Sequence, residues 1–230
     1  MHVYDLIIEG GEVYTPGGIQ PLDIGIREGR IEKLGALGST SAAERLNASG
    51  LLILPGVIDT QVHFREPGLE HKEDLESGTR SAVLGGVTAI FEMPNTRPAT
   101  TSPDALSDKL RRANGRAWCD YAFFLGASSE NAAELAEWER LPGCAGVKIF
   151  MGSSTGDLLV EGDADLEKVL RNGVRRVAVH CEDEARMRER KTIAVEGAQP
   201  RFHPDWRDDL SAVMATERLL GLAKKTGRRV

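Results

Sequence analysis

The stretch Leu51-Leu52-Ile53-Leu54-Pro55-Gly56-Val57-Ile58-Asp59-Thr60-Gln61-Val62-His63-Phe64-Arg65-Glu66-Pro67-Gly68 decides how this chain folds. Its apolar first part, Leu51 to Ile58, predicts a strand, and polar side chains emerge at the carboxyl end. Strand alternation puts Asp59, Gln61, His63 and Arg65 on one face. An acid, an amide, an imidazole and a guanidinium make poor core material. In a parallel α/β barrel the carboxyl ends of the strands are where reactive groups collect. The set has the makings of half a metal site beside an anion-binding group.

Downstream of this strand the pattern alternates between strand and helix, which predicts a parallel sheet. Strands are expected near 52–63, 87–93, 118–126, 145–150 and 175–181, and helices near 71–85, 103–114, 129–140, 163–172, 183–193 and 208–226. Gly85-Gly86 predicts a left-handed stop for the first helix. Ser102 and Pro103 suit the cap and first position of the second, and Lys224-Lys225 with Gly227 suit the end of the last. Upstream, short runs (Tyr4–Glu9, Glu12–Thr15, Asp23–Arg27, Arg30–Leu34) are separated by Gly10-Gly11, Pro16-Gly17-Gly18 and Glu28-Gly29. They predict a small antiparallel β domain. The expected division is therefore 1–50 and 51–230. The fold class is α/β: five strands of a (β/α)8 barrel behind an N-terminal β domain. Arg228-Arg229-Val230 has the look of a further strand beginning, so the barrel is expected to be the amino-terminal part of a longer one, with an open five-stranded α/β domain as the alternative.

Composition narrows the function. A net charge of −6 argues against nucleic acid or an anionic membrane as partner. No apolar stretch approaches the roughly 20 residues that span a bilayer. The three cysteines, Cys119, Cys144 and Cys181, are odd in number and never C-x-x-C, which speaks against a disulfide framework and for a reducing, cytoplasmic setting. The expected partner is a small-molecule substrate, and the expected assembly a homo-oligomer, a dimer.

Three strand ends offer metal ligands. His63 ends the first strand, Lys148 lies inside the apolar run Gly146–Phe150, and His180 ends the run Arg176–Glu182. A lone strand-end histidine is more often a hydrogen-bonded structural residue, and a lone lysine more often snorkels or pairs. Three such groups at one end of one sheet reverse that balance. A buried amine is costly unless paired or altered. An uncharged lysine amine can take up carbon dioxide as a carbamate, an anionic oxygen ligand able to bridge two divalent ions. Imidazole with such oxygens suits zinc. His2, His71 and His203 have no comparable setting. The loop Gly152-Ser153-Ser154-Thr155-Gly156-Asp157 lacks a P-loop lysine and is expected to be a mobile loop near the site's mouth.

The stretch Asp59–Gly68 resembles the D-x-H-x-H-x-R-E-P-G signature of dihydroorotases within the amidohydrolase superfamily. Glu92-Met93-Pro94-Asn95-Thr96 resembles the family's M-P-N-T segment, Gly146–Gly152 the segment with the carboxylated lysine, and Val179–Glu184 the one with the third histidine. The resemblance implies His63 and His180 as zinc ligands and Lys148 as the carbamate, with one or two zinc ions and carbon dioxide as cofactors. It implies Arg65 and Asn95 as the pair that holds a substrate carboxylate; the plainer reading of Arg65 is a salt bridge to Glu66 or Glu70. Arg65 is usually not arginine in the hydantoinase and allantoinase relatives, which favours a ring bearing a carboxylate. Gln61 stands where the family has its first histidine, a weaker ligand that implies a loose or vacant second metal position. Asp59 would orient the site from behind or cap the strand. The family's fourth histidine and catalytic aspartate would fall beyond Val230, so the 230-residue polypeptide alone is expected to be inactive.

The function expected from this is a zinc-dependent dihydroorotase that interconverts dihydroorotate and N-carbamoyl-aspartate in pyrimidine biosynthesis. The alternatives are a hydantoinase (dihydropyrimidinase), an allantoinase, and a catalytically silent relative that serves as a scaffold.

Overall fold

The computed structural model describes residues 3–152, 158–194 and 199–230. The chain divides into two compact units, Met1–Gly56 and Val57–Val230. The expected loop at 152–157 lies, apart from Gly152, outside the described residues.

The first unit is built on β1 (Tyr4–Thr15), β2 (Gly18–Arg27), β3 (Arg30–Gly35), β4 (Ala42–Asn47) and β5 (Leu52–Ile53). β1, β2 and β3 form the expected antiparallel meander, while β4 and β5 add to β1 in parallel. Gly10-Gly11 is not a turn. It makes a bulge within one 12-residue strand, where Gly10 takes φ +76° and donates its N–H to Asp23. At Glu28-Gly29 the chain does turn, with both residues at positive φ, as a tight hairpin needs.

The apolar run at 51–58 splits where Pro55-Gly56 interrupts it. Leu52–Ile53 joins the first sheet, and β6 (Val57–Val62) opens the second unit. There α1 (Leu75–Leu84), β7 (Val87–Glu92), α2 (Pro103–Ala113), β8 (Asp120–Gly126), α3 (Leu135–Trp138), β9 (Cys144–Phe150), α4 (Asp163–Arg171), β10 (Val177–His180), α5 (Glu184–Arg190), α6 (His203–Trp206) and α7 (Asp209–Thr226) follow in turn. The five strands lie in the order β10-β9-β8-β7-β6, all parallel, as in successive steps of a (β/α)8 barrel. The N–H of Val177 donates to the carbonyl of Arg229, so the chain runs alongside β10 as a next strand would.

Helix boundaries follow their caps. Asp74 accepts from the Ser77 N–H, so α1 starts four residues later than periodicity alone suggests. Ser102, Pro103 and the left-handed Gly227 act as expected. One sheet face packs on the helices. Ile90, Phe123 and Leu125 meet Leu75 and Leu106, and Val147, Ile149 and Val177 meet Leu166, Val169 and Leu219. Each fully buried aliphatic side chain contributes roughly 1.5–3 kcal/mol. The alternate residues, Phe91, Phe124, Lys148, Phe150 and His180, therefore share the opposite face, which carries the candidate site.

Candidate active site

His63 sits one residue past β6, and Asn95 three past β7. Their side chains meet, His63 Nδ1 to Asn95 Oδ1 at 2.7 Å. An amide oxygen only accepts, so Nδ1 carries the proton and Nε2 keeps its lone pair. Burial lowers the pKa of His63, Asn95 works against that, and the charges of Arg65 and Lys148 lower it further. The imidazole is thus neutral and oriented, the form in which it can bind a cation.

Lys148 stands in register with Gly126 on one side and Ala178 on the other, so neither neighbour offers it a polar group. It is 2% exposed, and among the described residues it has no carboxylate partner. Its Nζ lies 5.1 Å from the centroid of the Phe150 ring. Burial lowers its pKa, opposed by Cys181, and so favours the uncharged amine. Phe150 also stands in register with His180, the two rings 6.1 Å apart. His180 uses Nε2 for a short hydrogen bond to Glu182, which Arg207 grips through Nε and Nη2. Burial raises the Glu182 pKa, but the hydrogen bonds from Arg207 and His180 outweigh it and leave it lowered. With Nε2–H donated to a carboxylate, Nδ1 of His180 holds the free lone pair.

Gln61 and Asp59 are exposed. The expectation of one polar face fails here. Asp59 is in register with Ile90 and Val62 with Glu92, three residues of β6 against two of β7. That bulge breaks the alternation, so Asp59 lies off the face of His63 and instead accepts from the Gln61 N–H. Arg65 adopts φ +64° and has no ion pair among the described residues. The carboxylates beside it are occupied: Glu66 by Arg116, and Glu70 by Arg112 at the edge of range.

Among the described residues no group of three or more His, Cys, Asp and Glu side chains is gathered tightly enough to hold a metal ion. His63 and His180 therefore need an anionic ligand of another kind. Lys148, desolvated and without a carboxylate partner among the described residues, has the chemistry to become one, and such a donor set is of a kind that suits a divalent ion. Sequence reasoning overlooked Glu182 and Arg207 as supports of His180, and also the ion pair of Lys109 with Glu92 beneath the Asn95 turn. Glu182 was legible as the next residue on the same strand face as His180. Arg207 carries no signal before the fold is known.

Fold and strand-end groups together define an α/β-barrel protein with two oriented imidazoles and a buried free amine. The dihydro-orotase-like family model matches residues 50–146. An allantoinase from Rubrobacter xylanophilus is 37% identical over 188 residues, covering 80% of this chain and 41% of that protein. A dihydroorotase from Methanosarcina mazei is 31% identical over 227 residues, covering 97% and 49%. Among solved structures, the L-hydantoinase (dihydropyrimidinase) of Arthrobacter aurescens superimposes with a TM-score of 0.90 at 26% identity, covering 99% of this chain and 52% of that one. The chain belongs to the dihydro-orotase-like family of cyclic amidohydrolases. It spans about half the length of the curated relatives it matches. No helix among the described residues is long and apolar enough to cross a membrane.

Proposed function

We propose that this chain belongs to a metal-dependent hydrolase that opens a cyclic amide bearing a carboxylate, most simply a dihydroorotase interconverting dihydroorotate and N-carbamoyl-aspartate. The observation that carries this is Arg65: a guanidinium beside His63 with no carboxylate of its own among the described residues, while its acidic neighbours are matched to other arginines. A guanidinium in that state suits a bidentate carboxylate ligand. Asn95 spends its oxygen on His63, which leaves its NH2 to donate to the same ligand.

The residues that would hold zinc are His63 through Nε2, His180 through Nδ1 and Lys148 as its carbamate, with Gln61 as a weak fourth. Zinc bound there would supply Lewis acidity and a water that deprotonates near neutral pH. Arg65 and Asn95 would fix the ring so that its amide carbonyl faces that centre, an effect of orientation.

A second reading, allantoinase, draws equal support from the relatives: proteins so named from Rubrobacter xylanophilus, Deinococcus radiodurans and Solibacter usitatus are 32 to 37% identical, and proteins named dihydroorotase 30 to 38%. Turnover of dihydroorotate, dihydrouracil, hydantoin and allantoin by the full-length protein separates the two. Preference for dihydroorotate, lost in Arg65→Ala through a raised KM, supports the first. Preference for allantoin with no effect of Arg65→Ala overturns it.

A further inference from the structure

The residue after Arg65 is a carboxylate that the expected chemistry leaves unused. Glu66 is 3% exposed, and a buried carboxylate is costly unless its oxygens are satisfied. Both are. Oε1 accepts from Nη1 of Arg116 at 2.7 Å, and Oε2 accepts from Nη2 of Arg116 at 3.3 Å and from the Leu75 N–H at 2.9 Å. Leu75 is the first residue of α1, and Arg116 lies just past the end of α2. Glu66 therefore ties the loop after β6 to two helices at once.

The other end of the same loop is fixed to the turn that carries Asn95. Arg97 donates its N–H to the Pro67 carbonyl at 2.9 Å. Gly68, at φ +88°, lies so close to that turn that a Cβ would sit 2.1 Å from the Arg97 carbonyl oxygen. Arg65 is the residue between the end of β6 and these anchors, held at φ +64°, a conformation that costs a non-glycine residue on the order of 1 kcal/mol and persists only when its surroundings impose it.

We infer that Glu66, clamped by Arg116, is a positioning residue that sets the aim of Arg65 and keeps its guanidinium free for an anionic substrate group. Two effects combine. The clamp fixes the backbone on which Arg65 is strained, and it matches the adjoining carboxylate to another arginine, so that Arg65 is left without an ion-pair partner among the described residues. The inference rests on the reading of Arg65 as the anchor of a substrate carboxylate.

The test compares two rings that differ only in that carboxylate, dihydroorotate and dihydrouracil, in the full-length protein. Glu66→Gln keeps the shape and the Leu75 contact but removes the charge. Arg116→Gln releases the clamp from a side chain that is 38% exposed, so it spares the core. Both variants are expected to raise KM for dihydroorotate roughly tenfold or more with kcat little changed. Dihydrouracil turnover is expected to stay as in wild type, and Arg116→Lys to recover part of the loss. Variants that keep the wild-type preference, or that lose both substrates equally, overturn the inference. If Glu66→Gln fails to fold, the Arg116 pair decides. A wild type indifferent to the carboxylate overturns the functional reading instead, and the inference falls with it.

Discussion

Nδ1 of His63 lies 2.7 Å from Oδ1 of Asn95, which joins the end of β6 to the turn after β7 and fixes which imidazole nitrogen is free. His180 is fixed the opposite way, through Nε2 to Glu182. The two imidazoles thus offer different nitrogens, each chosen by a hydrogen bond on its far side. Supports of this kind tune metal affinity by about 10- to 100-fold.

Asn95→Leu removes the acceptor that holds the His63 tautomer. Zinc affinity of the full-length protein is expected to fall about 10- to 100-fold, measured by competition with a chelator. Unchanged affinity would mean that Asn95 serves the substrate alone.

Arg207→Met releases Glu182 and leaves His180 without a fixed partner. A loss of zinc affinity of similar size, roughly tenfold or more, is expected. The fold should persist, since Arg207 lies outside both apolar clusters of the second unit. A variant that melts early yet binds zinc normally would make Arg207 a structural residue only.

Most of the fold was legible because its signals are local. The alternation after residue 57, the caps at Ser102 and Gly227, and the Glu28-Gly29 hairpin all act within a few residues. What was missed depends on pairing between strands. The bulge that turns Asp59 away from His63 exists only because β6 carries three residues against two of β7. The shift of Leu52–Ile53 into the first sheet is settled by its partner, β1. Of the candidate site residues, His63, Lys148, His180 and Arg65 drew notice by residue type within or just past strands, and Asn95 only through the resemblance of its segment to M-P-N-T. Arg207, Arg116 and Lys109 did not, because an arginine or lysine on a helix or loop has no local mark of the carboxylate it will meet.

Lys109 and Glu92 form a fully buried pair at 2.5 Å, and Lys109 also donates to the Met93 carbonyl just before the Asn95 turn. Burial pushes the Lys109 amine down and the Glu92 carboxyl up. Lys109→Met alone leaves Glu92 buried without a counter-charge and is expected to cost about 3–5 kcal/mol. Adding Glu92→Leu should recover most of that. Urea unfolding of the two variants checks the order, and a double variant no more stable than the single would contradict it.

Glu139 accepts from the N–H groups of Val174 and Arg175 and pairs with the buried Arg228 at 2.6 Å. Burial raises its pKa, but these hydrogen bonds outweigh burial and leave it lowered. A carboxyl whose folded pKa is depressed stabilises the protein fully above its unfolded value, roughly 4.3, and loses that contribution as pH falls through the folded value. Glu139→Gln is therefore expected to lower Tm at pH 7 and to approach wild type as pH falls below about 4. A stability gap that stays constant between those conditions would contradict the assignment.

The most direct test of the central claim is the zinc content of the full-length protein with and without the Lys148 amine. Wild type is expected to hold one or two equivalents of zinc per chain, and Lys148→Met to lose most of it while keeping its fold by circular dichroism. Zinc retained undiminished by Lys148→Met, or a folded and catalytically active wild type free of zinc, would contradict the account.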